Sequence, residues 1–176
     1  MSPVGTTEEN IMAHTYISAL VHVVFSTKGR QRTISAQLQP KLWAYLGGIA
    51  RRNGMTAVQI GGIADHVHVL LILPATMPIA KAVQLLKGGS SKWIHDTEGK
   101  PFAWQDGYGA FTIGISQLQT TVAYIRNQEE HHRKRTFEEE FLAFLKSTTF
   151  ITILASCGDN SVVPTGLRSI FLPTRR

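Results

Sequence analysis

The chain alternates short apolar runs with stretches whose apolar residues recur every three or four positions. Residues 16–27, YISALVHVVFST, are rich in β-branched and aromatic side chains and suit a buried strand. The cluster Lys28, Gly29, Arg30, Gln31, Arg32 ends that run as a basic loop. Leu38, Leu42, Leu46 and Ile49 then follow helical spacing. Ser35 is placed to cap this helix, Arg51, Arg52 and Asn53 close it, and Gly54 stops it. Residues 55–63 predict a second strand, Ala64 and Asp65 a tight turn, and residues 66–73, HVHVLLIL, a third strand. The last two make a hairpin. Ile79, Val83, Leu86 and Ile94 predict a second helix, weakened at Gly88 and Gly89 by about 1 kcal/mol per glycine. Residues 102–115 read as a glycine-punctuated strand region. Ser116 is placed to cap a third helix through Leu118, Val122, Ile125 and Gln128. Thr136 with Glu139 fits a capping box that opens a last amphipathic helix.

The order strand, helix, strand, strand, helix, strand, then helices predicts an α+β, ferredoxin-like (split βαβ) fold. Its antiparallel sheet carries helices on one face and an extra C-terminal helix. Periodicity is lost after about residue 145. This divides the chain into an N-terminal extension (1–12), one domain (13–145) and a divergent, loosely ordered tail (146–176). The length of 176 residues suits one domain with extensions. No apolar run approaches the roughly 20 residues that span a bilayer, and residues 1–10 lack the apolar stretch of a signal peptide. The single cysteine, Cys157, excludes an intramolecular disulfide and a cysteine-based zinc cage. A reducing, cytoplasmic setting follows. The net charge of +6 points to a polyanion such as nucleic acid. Half of it, however, belongs to residues 146–176, so charge alone names no partner.

Two constellations carry candidate chemistry. His66-Val67-His68 places two imidazoles on one face of a strand, with Val67 turned to the other. Adjacent imidazoles can hold a divalent metal, and burying them without partners is costly. Tyr124 and Gln128 are four residues apart on the predicted third helix and share one face. Gln128 can offer a carbonyl oxygen to a metal, and Tyr124 can attack a phosphodiester as its phenolate. A free phenol titrates near pH about 10, so attack at neutral pH needs charge stabilisation at the scissile phosphate. Taken alone, a helix tyrosine is most often a packing residue.

The combination is more specific than its parts. A His-hydrophobic-His strand followed by a Tyr-x-x-x-Gln helix resembles the HUH endonucleases. More closely, the chain resembles the single-tyrosine HUH transposases of small bacterial insertion sequences (IS200-like transposases). HVVFSTKGR, ADHVHVLL, LLKGGSSKWI, WQDGYGAF, YIRNQEEHH and TFEEEFLAFL follow that family in order and spacing, across roughly residues 13–145. The resemblance implies a metal-dependent transposase that cleaves and rejoins single-stranded DNA at transposon-end hairpins. The tyrosine joins the 5′ phosphate and frees a 3′ hydroxyl, which later attacks another phosphotyrosine, so no ATP is needed. Carried over, Tyr124 is the nucleophile and His66, His68 and Gln128 bind Mg2+ or Mn2+. The resemblance also implies a homodimer with composite active sites, in which the tyrosine helix of one subunit completes the other. Relatives continue into a segment bearing tyrosine and tryptophan, and residues 146–176 show no such pattern.

Neighbouring residues keep alternative readings. Asp65 either orients a histidine from behind or caps the hairpin. His131 and His132 either tune the tyrosine and touch DNA or lie on a solvated helix end. His22 either fills the sheet face or joins the site. Lys28, Arg30, Arg32, Lys87, Lys92, Arg126 and Arg133 are candidate phosphate contacts, and Trp93, Trp104, Tyr108 and Phe111 candidate stacking surfaces for unpaired bases. Two other functions compete: a different HUH endonuclease, such as a replication initiator or a domesticated relative, and a non-catalytic single-stranded nucleic-acid-binding module. The second leaves the His66, His68, Tyr124, Gln128 set without a purpose.

Overall fold

The computed structural model describes residues 17–133. The N-terminal extension, the helix expected from Thr136 and the tail 146–176 lie outside these residues. Four strands and four α-helices follow in the order β1 (Leu20–Ser26), α1 (Leu38–Arg52), β2 (Thr56–Ile63), β3 (His66–Ile72), α2 (Ile79–Glu98), β4 (Gly109–Thr112), α3 (Leu118–Arg126) and α4 (Gln128–His132). The sheet order is β2-β3-β1-β4, with every neighbouring pair antiparallel. This is the expected ferredoxin-like arrangement. No helix of the described residues is long and apolar enough to cross a membrane.

Strand alternation divides the two faces of the sheet. Val21, Val23 and Phe25 of β1 and Val67, Val69 and Leu71 of β3 enter the main core. Leu38, Leu42, Leu46 and Ile49 of α1 meet them there, with Val83, Leu86 and Ile94 of α2. Complete burial of side chains of this size contributes about 1.5–3 kcal/mol each. Gly89 explains why the paired glycines of α2 do not break it. A Cβ at Gly89 would stand 2.9 Å from Cδ1 of Ile49, so the missing side chain lets α1 and α2 approach. Ser35 lies in the turn that leads into α1, two residues before the N-cap position Gln37, and its hydroxyl accepts from the Leu38 amide at 3.3 Å. Gly54, at φ 71°, follows its end.

The opposite face is smaller and carries the polar residues. Leu20 and Leu70 pack there against Ile125 of α3. The helices therefore divide, with α1 and α2 on one face and the tyrosine-bearing α3 on the other. Two details differ from expectation. A 3-10 turn, Ile115–Gln117, precedes α3. Gln117, not Ser116, secures it, accepting the Gly114 amide on Oε1 at 3.0 Å. The third helix also breaks at Asn127, so Tyr124 and Gln128 fall on successive helices.

The strand expected over 102–115 shrinks to β4 because its first half is held otherwise. Lys87 Nζ donates to the carbonyls of Gln105 and Gly107 at 2.7 and 2.8 Å, and Gly107 adopts φ 82°. Trp104 packs edge-on against Phe25 and Phe102 and donates its indole N–H to Ser90 Oγ at 3.0 Å. It is a core residue, which removes it from the candidate stacking surfaces. Trp93 stacks on Tyr45 with ring centroids 4.6 Å apart.

Candidate functional site

The even-numbered positions of β1 and β3 build the floor of the site. In the β1–β3 ladder Val24 faces His68 and Ser26 faces His66; in the β2–β3 ladder Gly61 faces His68. His66 and His68 point to the same side, as strand alternation requires, and both are buried. Their ring centroids are 4.9 Å apart. His22, on the same face of β1, joins them: its Nε2 lies 2.9 Å from His68 Nδ1, and the two rings stack. Of its two sequence readings, the structure places it beneath the histidine pair.

Asp65 sits at the β2–β3 turn. Its Oδ1 accepts from His66 Nδ1 at 2.7 Å, and its Oδ2 accepts from Arg30 Nη2 at 3.0 Å. A carboxylate behind a histidine fixes the ring and its tautomer. With the proton on Nδ1, the His66 Nε2 lone pair faces forward. Burial raises the Asp65 carboxyl, but the His66 hydrogen bond and the charges of His66 and Arg30 outweigh it and bring it down to about 2. Burial lowers His22 to about 4 and pushes His68 well below the usual imidazole value. Neighbouring imidazoles add to the effect at His68. Both rings are neutral near pH 7, which is the state that ligates metal.

The second wall comes from α3 and α4. Gly61 lets α3 lie directly on β2, because a Cβ there would stand 2.2 Å from the Ile125 carbonyl oxygen. The Tyr124 ring consequently meets His68 edge-on, with centroids 5.5 Å apart, and lies 6.1 Å from the His22 ring. Gln128 is buried. Its Nε2 donates to the Tyr124 carbonyl at 3.3 Å, and its Oε1 lies 3.3 Å from His66 Nε2. The structure thus brings His66, His68, Tyr124 and Gln128 together despite the helix break.

One residue is closer to the histidines than its sequence context suggested. His132 Nε2 is 3.1 Å from His66 Nε2. His66, His68 and His132 form a group whose ligand atoms all lie within 4.8 Å of one another, a set that can hold a metal ion. His68 Nε2 supports the fit: it is buried and has no hydrogen-bond partner among the described residues. The available signal was spacing, since Tyr124, Gln128 and His132 each stand four residues apart. His131 packs against Tyr124 instead, at 5.2 Å between centroids.

The candidate cations fall into different settings. Lys28 and Arg32 are exposed, and Arg32 lines a cleft of about 470 Å³ that also touches His132 and Arg133. Arg126 is exposed at the end of α3. Arg133 pairs with Glu130 at 3.1 Å. Arg30 is committed to Asp65. Lys87 and Lys92 belong to α2, across the sheet from the histidines, and Lys87 is tied to the 105–107 loop.

Known proteins resemble this chain in sequence and fold. The chain is 25% identical over 134 residues to the transposase for insertion sequence element IS200 of Salmonella typhimurium, spanning 72% of this chain and 87% of that protein. It is 24% identical over 116 residues to the ISDra2 transposase TnpA of Deinococcus radiodurans, spanning 62% and 83%. Among solved structures, a putative transposase from Deinococcus radiodurans superposes with a TM-score of 0.53 at 24% identity, covering 66% of this chain and 94% of that one. A REP-associated tyrosine transposase bound to a REP hairpin superposes with a TM-score of 0.52 at 17% identity, covering 75% and 74%. The profile of the family described as "Transposase IS200 like" matches residues 15–128, from before β1 to Gln128. This chain therefore belongs to the IS200-like transposase family.

Proposed function

We propose that the chain cleaves and rejoins single-stranded DNA at hairpin-bearing transposon ends, with Tyr124 as nucleophile. The observation that carries this reading is the contact of the Tyr124 ring with His68, inside a buried histidine group that can hold a metal. His66, His68 and Gln128 are the ligands in this reading, and the ion is Mg2+ or Mn2+. Such an ion supplies charge stabilisation to the phosphoryl oxygens.

The chain's own residues do the rest. The Tyr124 oxygen forms a bond to phosphorus as the bond from phosphorus to the 3′ oxygen breaks. The phenolic proton passes to solvent, and the departing strand leaves as a 3′ hydroxyl after taking up a proton. The phosphodiester energy is retained in the phosphotyrosine, so a second 3′ hydroxyl reverses the step. Asp65 holds His66 in the productive tautomer. Gln128 ties the Tyr124 backbone to the histidines. Lys28, Arg32, Arg126 and Arg133 are the exposed cations on offer to the DNA backbone. The active form in this reading is a homodimer, in which α3 stands either on the histidines of its own chain, as in the contact above, or on those of the partner in a composite site.

The test is a denaturing gel of the full chain incubated with Mn2+ and labelled single strands carrying the hairpins that flank its coding sequence. A covalent adduct is expected with the wild type and none with Tyr124→Phe. An adduct that survives Tyr124→Phe overturns the nucleophile assignment. Mixing Tyr124→Phe with His66→Ala protein tests the composite site, since activity returns only if one subunit completes the other.

A further inference from the structure

We propose that His132 is a specificity-determining metal ligand that shifts this site away from Mg2+ and towards late first-row divalent ions such as Co2+ and Zn2+. The inference rests on the metal site of the reading above, keeps its residues, and departs from it on the preferred ion.

His66 Nε2 is the meeting point. Its Nδ1 is held by the Asp65 carboxylate at 2.7 Å, so Nε2 offers a lone pair. Two further groups converge on that nitrogen from α4: Gln128 Oε1 at 3.3 Å and His132 Nε2 at 3.1 Å. Gln128 Nε2 already donates to the Tyr124 carbonyl, so the amide presents its oxygen, an acceptor. His66 Nε2 and Gln128 Oε1 are acceptors, and His132 Nε2 meets them either by donating its own proton or by sharing a cation with them. Gln128 and His132 are one helical turn apart and lie on the same face, so α4 delivers both without distortion.

The distances approach those around one small ion. Metal–nitrogen bonds of about 2.0–2.1 Å in a tetrahedral site place the ligand nitrogens roughly 3.4 Å apart. The histidine ligand atoms span from 3.1 Å to at most 4.8 Å. Buried His68 Nε2, without a hydrogen-bond partner among the described residues, is the third nitrogen.

Donor chemistry then sets the preference. Mg2+ takes oxygen ligands in octahedral geometry and keeps much of its water. Three imidazoles and one amide oxygen favour Co2+, Zn2+ and their neighbours. With only His66, His68 and Gln128, that bias is weaker.

The experiment is metal binding to the full chain by calorimetry, with Mg2+ and Co2+ as separate probes, alongside the visible absorption of bound Co2+. Wild-type protein is expected to bind Co2+ at least about 100-fold tighter than Mg2+, as imidazole-rich sites do. His132→Ala is expected to lose at least about 10-fold in Co2+ affinity, on the scale that groups supporting a metal site contribute. Its Mg2+ affinity should change little, and the Co2+ spectrum should shift. His132→Gln, which keeps an oxygen donor and the helix, should behave towards Co2+ like His132→Ala. Unchanged Co2+ affinity and spectrum, or an equal loss for both ions, would overturn the proposal. The adduct gel separates this from the broader reading: a Tyr124-dependent adduct with an unchanged Co2+ site removes His132 as a ligand and leaves the phosphotyrosine reading intact.

Discussion

Gly61 and Ile125 touch backbone to backbone, with room at Gly61 for hydrogen and nothing larger. This contact seats α3 on the sheet, one residue from Tyr124. Gly61→Ala is expected to push α3 outward and destabilise the protein by about 1–3 kcal/mol, as overpacking does. Adduct formation should fall further than stability explains. Gly88→Ala is the counterpart: a Cβ there meets nothing within 4 Å, in a helix interior where alanine is favoured by about 1 kcal/mol. Thermal melts and the adduct gel together check the pair, and a Gly61→Ala protein with full adduct yield would contradict the seating role.

Asp65 holds His66 from behind, so its charge matters more than its shape. Asp65→Asn keeps the size but lets an amide N–H face His66 Nδ1, which moves the ring proton to Nε2. Metal affinity is expected to fall about 10- to 100-fold. Calorimetric titration with Mn2+ measures this directly; an affinity equal to wild type would show that the tautomer is set elsewhere.

Acid should weaken the metal-free protein in two stages. His22 titrates near 6.5 when unfolded and at about 4 in the fold. Between these values the unfolded chain binds the extra proton, so the stabilisation is complete above 6.5 and lost towards 4. Its size is at most roughly 3 kcal/mol, and His68 acts in the same direction. Asp65, lowered from 3.8 to about 2, adds a second loss as pH falls through that range. Melting temperatures of chelator-treated protein from pH 7.5 down to 4 should decline for the wild type and decline less for His22→Leu. A flat wild-type profile would count against buried neutral histidines.

Exposed and committed cations should separate cleanly. Lys28→Ala and Arg32→Ala are expected to weaken single-strand binding and lower its salt slope by about 0.7–1 each, with stability within about 0.5 kcal/mol of wild type. Lys87→Met should leave the slope unchanged and destabilise the protein by about 0.5–1.5 kcal/mol, because the 105–107 loop loses its tie to α2. Binding isotherms at several salt concentrations, paired with melts, distinguish the two classes. A reduced slope for Lys87→Met would return that lysine to the DNA surface.

What was legible in the chain followed local rules. The shared face of His66 and His68 is a consequence of strand period, and the closeness of Tyr124 and Gln128 survived because a break at Asn127 still leaves them one turn apart. Contacts that depend on ladder register were not legible. His22 reaches His68 across 46 residues of sequence, and Arg30 reaches Asp65 across 35. Lys87 looked like any basic residue on a helix, because its loop partners are carbonyls that no side-chain pattern reveals. His132 stood behind a polar run, Glu129 to His131, that resembles a solvated helix end.

The division of β3 has a consequence for how this protein can vary. Its odd positions, Val67, Val69 and Leu71, are oil for one layer, while His66 and His68 are chemistry for the other. A substitution at either kind of position alters one layer. A one-residue slip of β3 against its neighbours would exchange the two, sending imidazoles into the hydrocarbon core and valines into the histidine site. The strand is therefore far more sensitive to frame than to composition, and length changes should be confined to the loops around it.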